Sequence, residues 1–145
     1  QEKKTFKRAE ENIKIMFGHM NYAPILPISA KEDTGIKQLL NTVMELYNQL
    51  NRKIDTASLN TALRDWVTAY PPPASRSASF KMRYITQTSV NPVEFLIFAT
   101  RPEVVQQTYL SYIKNKVRTD LGFDKIPVKV ELKASRTKWE NRSRT

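Results

Sequence analysis

Apolar residues Phe6, Ala9, Ile13 and Phe17 recur at three- and four-residue steps, which predicts an amphipathic helix over residues 3–17 with Gly18 ending it. A short apolar run, Ile25-Leu26-Pro27-Ile28, follows and stops at the polar corner Ser29-Ala30-Lys31. It predicts a buried strand. Thr34 is placed to cap a second helix reaching about residue 50, with Ile36, Leu39, Leu40, Val43, Tyr47 and Leu50 as its stripe. One strand cannot satisfy its own edges. Residues 1–52 therefore read as helix-strand-helix belonging to a larger sheet.

The pattern changes after residue 52. Leu59, Leu63, Trp66, Val67 and Tyr70 predict a helix capped by Asp55 or Thr56 and stopped by Pro71-Pro72-Pro73. A small polar loop, "ASRSAS", leads into alternating "KMRYITQT", with Met82, Tyr84 and Thr86 on one face and Lys81, Arg83 and Ile85 on the other. "SVNP" is a turn, and "VEFLIFA" a more fully buried strand, so the two strands predict an antiparallel hairpin. Thr100-Arg101-Pro102-Glu103 has capping-box spacing and proline in the first turn, which predicts a helix start. Its stripe is Val105, Tyr109, Tyr112, Ile113 and Val117, and Gly122 suits a left-handed cap. Val128, Val130 and Leu132 alternate with Lys129, Glu131 and Lys133 in a last strand with one wet face. The last three elements form a right-handed β-α-β crossover, placing the final strand parallel to residues 93–99. The prediction for residues 53–135 is an α+β, α-β-β-α-β sandwich with two helices on one face of a three-stranded sheet. Residues 136–145 are a basic tail.

The chain of 145 residues has no cysteine, which excludes disulfides, a thiolate nucleophile and cysteine-ligated zinc. No apolar run approaches the roughly 20 residues of a membrane span, and the N-terminus has no signal-peptide core. The absence of an initiator Met suggests a piece of a longer protein. The net charge of +10 is unevenly spread, +2 over residues 1–52 (8 basic, 6 acidic) and +8 over residues 53–145 (16 basic, 8 acidic). Such a field attracts polyanions, nucleic acid above all. Candidate nucleic-acid contacts, each readable also as part of a solvated face, are Lys81 and Arg83 on one strand, Lys114 and Arg118 four apart on the helix face opposite the apolar stripe, and Lys138 and Arg142 beside Trp139 in the tail. Tyr109 and Tyr112 read as core. His19, the one imidazole, sits beside a helix end and reads as capping or packing; no carboxylates recur at acid/base or metal-ligand spacing, so neither catalytic residues nor metal ligands are predicted.

The pieces "SLNTAL", "YPPP", "KMRYITQTSVNPVEF", "SYIKNKVRTDLGF" and "IPVKVEL" occur in an order and spacing that resemble the C-terminal KH-like domain of the bacterial double-GTPase family Der, also called EngA. Residues 1–52 resemble the end of that family's second P-loop GTPase (G) domain, where a Ser-Ala-Lys or Ser-Ala-Leu motif follows the last strand. Ser29-Ala30-Lys31 stands in that place. The resemblance implies that Ala30 offers its N–H to a guanine carbonyl oxygen and that Lys31 lies along the ring. It implies GTP or GDP with Mg in the intact protein. This chain itself lacks GxxxxGK[ST], DxxG and NKxD, so no cofactor and no catalysis are expected of it alone. The resemblance further implies cytoplasmic work on the large ribosomal subunit, contact with rRNA, and packing against the protein's own G domains. Only Gly18, Gly35 and Gly122 are present, so the GxxG clamp of ordinary KH domains is excluded and RNA contact must use other groups. The alternative reading is an interaction module that senses nucleotide state without touching RNA. The apolar stripes of residues 1–50 are expected to seek cover on the KH-like domain or on a second copy, as a homodimer.

Overall fold

The computed structural model describes residues 2–135. Four helices, α1 (Glu2–Met16), α2 (Ile36–Leu50), α3 (Thr56–Ala69) and α4 (Gln107–Asp120), accompany three strands, β1 (Met82–Ser89), β2 (Val93–Ala99) and β3 (Val128–Ala134). The sheet order is β1-β2-β3, with β1 antiparallel and β3 parallel to β2. Helices α3 and α4 cover one sheet face. Leu59, Leu63 and Trp66 from α3 and Tyr109, Ile113 and Val117 from α4 close over Ile85, Val93, Phe95 and Ile97. Phe123 completes this core, its ring edge-on to Phe95 at 5.6 Å. Each such side chain contributes roughly 1.5–3 kcal/mol by leaving water.

Local chemistry sets the element ends. Asp55 caps α3: Oδ1 accepts the Ser58 N–H at 2.9 Å and Oδ2 the Ser58 hydroxyl at 2.6 Å. The Ser58 hydroxyl, with the backbone bond, holds the Asp55 carboxyl below its ordinary pKa. Gly122 closes α4 at φ +73°, and the Phe123 N–H reaches back to the Arg118 carbonyl at 2.9 Å.

Several expectations are corrected. Residues 25–28 pair with no strand among the described residues, because no neighbouring strand supplies partners; the one bridge nearby joins Ser29 to Thr34. Thr34 does not cap α2, since its backbone is committed to Ser29, and Gly35 holds the N-cap position at φ +79°. The helix expected from Thr100 begins at Gln107. Pro102–Val104 forms a single 3-10 turn, and Val105 then turns extended. On β1 a bulge at Arg83 breaks the alternation, so Ile85 and Gln87 face the core while Arg83 and Tyr84 are exposed. Strand β2 buries only alternate residues; Glu94, Leu96 and Phe98 are half-buried on the face the helices leave open.

The end of α2 docks on the sandwich. Leu46, Leu50 and Ile54 pack against the core, and the Asn91 N–H bonds the Leu50 carbonyl at 3.0 Å. Buried Gln49 donates to Asp124 Oδ1 at 2.8 Å and accepts the Lys125 N–H at 3.1 Å. Arg52 donates to the Leu121 and Gly122 carbonyls at 3.0 and 3.1 Å. Of the α2 stripe, Leu40, Val43 and Tyr47 are exposed and Ile36 and Leu39 half-buried; Met44, Ile13 of α1 and Phe17 just beyond α1 are exposed too.

Candidate nucleic-acid interface

The polar corner at residues 29–34 is a closed turn. Ser29 and Thr34 exchange both backbone bonds at 3.0 Å, and the Ser29 hydroxyl accepts the Glu32 N–H at 3.3 Å. Ala30 and Lys31 are exposed. Ser29 is thus consumed by the turn, while Ala30, small and outward, leaves its N–H without an acceptor among the described residues. Gly35 is required below it: a Cβ there would lie 2.3 Å from the Pro27 carbonyl oxygen.

The cationic candidates fall into separate places. Lys81 and Arg83 are exposed at the start of β1, and their side chains make no hydrogen bond or ion pair among the described residues. Lys81 is fixed through its backbone: its N–H donates to the Thr100 hydroxyl at 2.9 Å, and its carbonyl accepts the Thr100 N–H at 3.0 Å. Lys114 and Arg118 were expected opposite the apolar stripe of α4, yet both are half-buried on the flank of that helix, whose solvent face is Ser111, Asn115 and Thr119. Arg118 turns inward. Its guanidinium donates to the Ile126 carbonyl at 2.8 Å and the Phe123 carbonyl at 3.4 Å, and lies 4.5 Å from the Tyr22 ring centre. Burial lowers its pKa, partly offset by Tyr22 and Asp124. Arg118 therefore braces the α4–β3 loop. Lys138 and Arg142, with Trp139, lie outside the described residues.

Tyr109 and Tyr112 are core, as their spacing predicts. Their hydroxyls donate to the Tyr70 and Trp66 carbonyls, each at 2.9 Å. His19 is exposed within a 3-10 turn, and no cluster of His, Asp or Glu suited to a metal occurs among the described residues.

Residues missed from the sequence stand on the open sheet face. Tyr84 pairs in register with Phe98, ring centres 5.9 Å apart, and Phe98 pairs with Lys133. Strand register carries this information, and a single sequence does not reveal it.

Residues 53–133 match the family described as the KH-domain-like region of EngA bacterial GTPase enzymes, C-terminal. The chain belongs to the EngA (Der) family. It is 43% identical over 126 residues to GTPase Der of Treponema pallidum subsp. pallidum, covering 87% of this chain and 27% of that protein. It is 33% identical over 129 residues to GTPase Der of Caldanaerobacter subterraneus subsp. tengcongensis, covering 89% and 29% respectively. With GTPase Der of Persephonella marina the identity is 38% over 112 residues, covering 77% and 25%. The chain thus spans little more than a quarter of the length of these Der relatives. No helix among the described residues is long and apolar enough to cross a membrane.

Proposed function

We propose that this chain is the C-terminal part of a cytoplasmic GTP-binding factor for assembly of the large ribosomal subunit. Its KH-like domain contacts rRNA, and residues 1–52 complete a G domain that holds GTP or GDP and Mg in the whole protein. In that setting Ser29-Ala30-Lys31 is the guanine-facing corner. The observation that supports RNA contact is the basic excess of +8 on residues 53–145, joined to a KH-like match over residues 53–133. Binding of the chain to rRNA fragments at 50 and 300 mM salt tests it. With about three phosphates neutralised, the single-strand slope of roughly −0.7 per phosphate predicts a loss of about forty-fold. Affinity that does not change with salt contradicts the reading.

A second reading is favoured by the exposed stripe Leu40, Val43, Met44 and Tyr47 on α2. It makes this region an intramolecular interface that reports nucleotide state, with the stripe covered by the protein's own G domains or, in the chain alone, by a second copy. Such an apolar interface responds little to salt. Light scattering of the chain distinguishes the homodimer from the monomer. Titration with labelled GDP is expected to show no micromolar affinity.

A further inference from the structure

We propose that the open face of the sheet is a stacking platform for single-stranded RNA, on which Tyr84 and Phe98 receive bases while Arg83 and Lys133 receive phosphates. The inference rests on the RNA-contact reading above and names the site within it. Both helices lie on the other face, so nothing in the described residues covers Tyr84, which is 40% exposed, or the half-buried Leu96 and Phe98. Tyr84 and Phe98 stand on neighbouring strands in register, 5.9 Å apart and tilted by 44°. Two adjacent aromatic rings on a sheet present π-faces that any base can use.

The charges around the rings are graded along the strands. Toward Val93 and Val128, Lys129 is spent on Glu94 at 3.7 Å and Glu131 at 2.8 Å. Toward the rings, Lys133 lies opposite Phe98, and Arg83 is the bulge residue next to Tyr84; neither has an ion-pair partner among the described residues. The cations without a salt bridge therefore border the aromatic pair, Lys133 with only a longer-range attraction to Glu131, and the paired Lys129 lies away from it. An apolar protein partner fits poorly here. It would strip water from Arg83 and Lys133 without pairing them, and interface centres are depleted in lysine. A polyanion with flat apolar rings matches both features.

The test is a fluorescence-anisotropy titration of labelled twelve-nucleotide oligouridylate with the full chain at 100 mM salt, against an RNA duplex of the same length. The single strand is expected to bind more tightly than the duplex. Tyr84→Ala and Phe98→Ala are each expected to weaken it about ten-fold, and Tyr84→Phe less than two-fold. The wild-type chain supplies a readout that does not depend on variant folding, since the ring protons of Tyr84 and Phe98 should shift upfield as oligonucleotide is added. If the RNA binds but the rings do not shift and both alanine variants keep full affinity, the platform is wrong while RNA contact elsewhere stands. A duplex bound as tightly as the single strand also overturns it. Absence of any RNA binding at 50 mM salt removes both the platform and the RNA reading. A dimer broken by Tyr84→Ala, with no RNA-induced ring shift, makes the face a protein interface instead.

Discussion

Gln87 is the side chain whose loss should loosen the joint between α2 and the sandwich. It is 4% exposed, faces the core side of β1, and its amide is fully engaged. Oε1 accepts the Ile54 N–H at 2.8 Å, while Nε2 donates to the Arg52 carbonyl at 2.8 Å and the Ser89 carbonyl at 3.3 Å. The Gln87 backbone carbonyl also receives Lys53 Nζ at 2.6 Å. Gln87→Ala removes three side-chain bonds and leaves a half-buried N–H at Ile54 without its acceptor. At about 1 kcal/mol per net bond, and with a buried donor costing more when orphaned, the loss comes to about 3 kcal/mol. Against a total of roughly 5–15 kcal/mol this is a large fraction. With a urea slope near 1.5–2 kcal/mol/M it moves the midpoint down by about 1.5–2 M. Circular dichroism at 222 nm through a urea titration reads this directly. Gln87→Leu, which restores volume but no bonds, should recover little, and the exposed Thr88→Ala should shift the midpoint by less than about 0.3 M. A shift under 0.5 M for Gln87→Ala, or a Gln87→Leu variant more stable than the parent, would show that water satisfies the linker and that the amide does not hold the joint.

Arg118→Lys keeps the charge but loses the planar guanidinium whose Nη1 donates to both the Ile126 and Phe123 carbonyls and which lies over the Tyr22 ring, so it should cost about 1–2 kcal/mol of stability while leaving RNA affinity unchanged; an affinity loss without destabilisation contradicts the bracing role. Tyr109 is buried, and burial together with Tyr112 and Tyr70 pushes its phenol up to about 12. The folded value lies above the unfolded one near 10, so its contribution to stability is complete below pH 10 and is lost as pH rises from 10 to 12. Urea midpoints at pH 8 and 11 should therefore diverge less for Tyr109→Phe than for the parent. Gly35→Ala places a Cβ 2.3 Å from a carbonyl oxygen at φ +79° and should cost about 1–3 kcal/mol, seen as faster hydrogen exchange over residues 27–40.

The sandwich was legible because its periodicities are strong. Leu59, Leu63 and Trp66 step at helical intervals, Val128, Val130 and Leu132 alternate, and Gly122 marks a helix end. The false helix start at Thr100 shows what local pattern omits. The Thr100 hydroxyl is already bound to the Lys81 N–H, and the Arg101 guanidinium reaches the Arg76, Ser77 and Ser79 carbonyls at 3.2–3.4 Å. These long-range bonds occupy the capping signal, so only the 3-10 turn Pro102–Val104 follows it and α4 starts later. The strand expected at Ile25–Ile28 had the composition but no partners. For the site, charge was visible and geometry was not. Arg118 looked like a surface cation because its carbonyl partners and Tyr22 come from other elements. Tyr84 and Phe98 were hidden because the Arg83 bulge sets the register that joins them.

The five residues between α2 and α3 leave no slack. Around them Gln49, Leu50, Arg52, Lys53 and Ile54 are each tied to the sandwich, so α2 behaves as a crank clamped at one end. Its 15 residues run about 22 Å from that clamp to Gly35, and a swing of about 5° at the clamp displaces the Ser29–Thr34 turn by about 2 Å. A ligand that displaced the turn would therefore do work on the sandwich, reaching the β1–β2 turn through the bond from the Asn91 N–H to the Leu50 carbonyl.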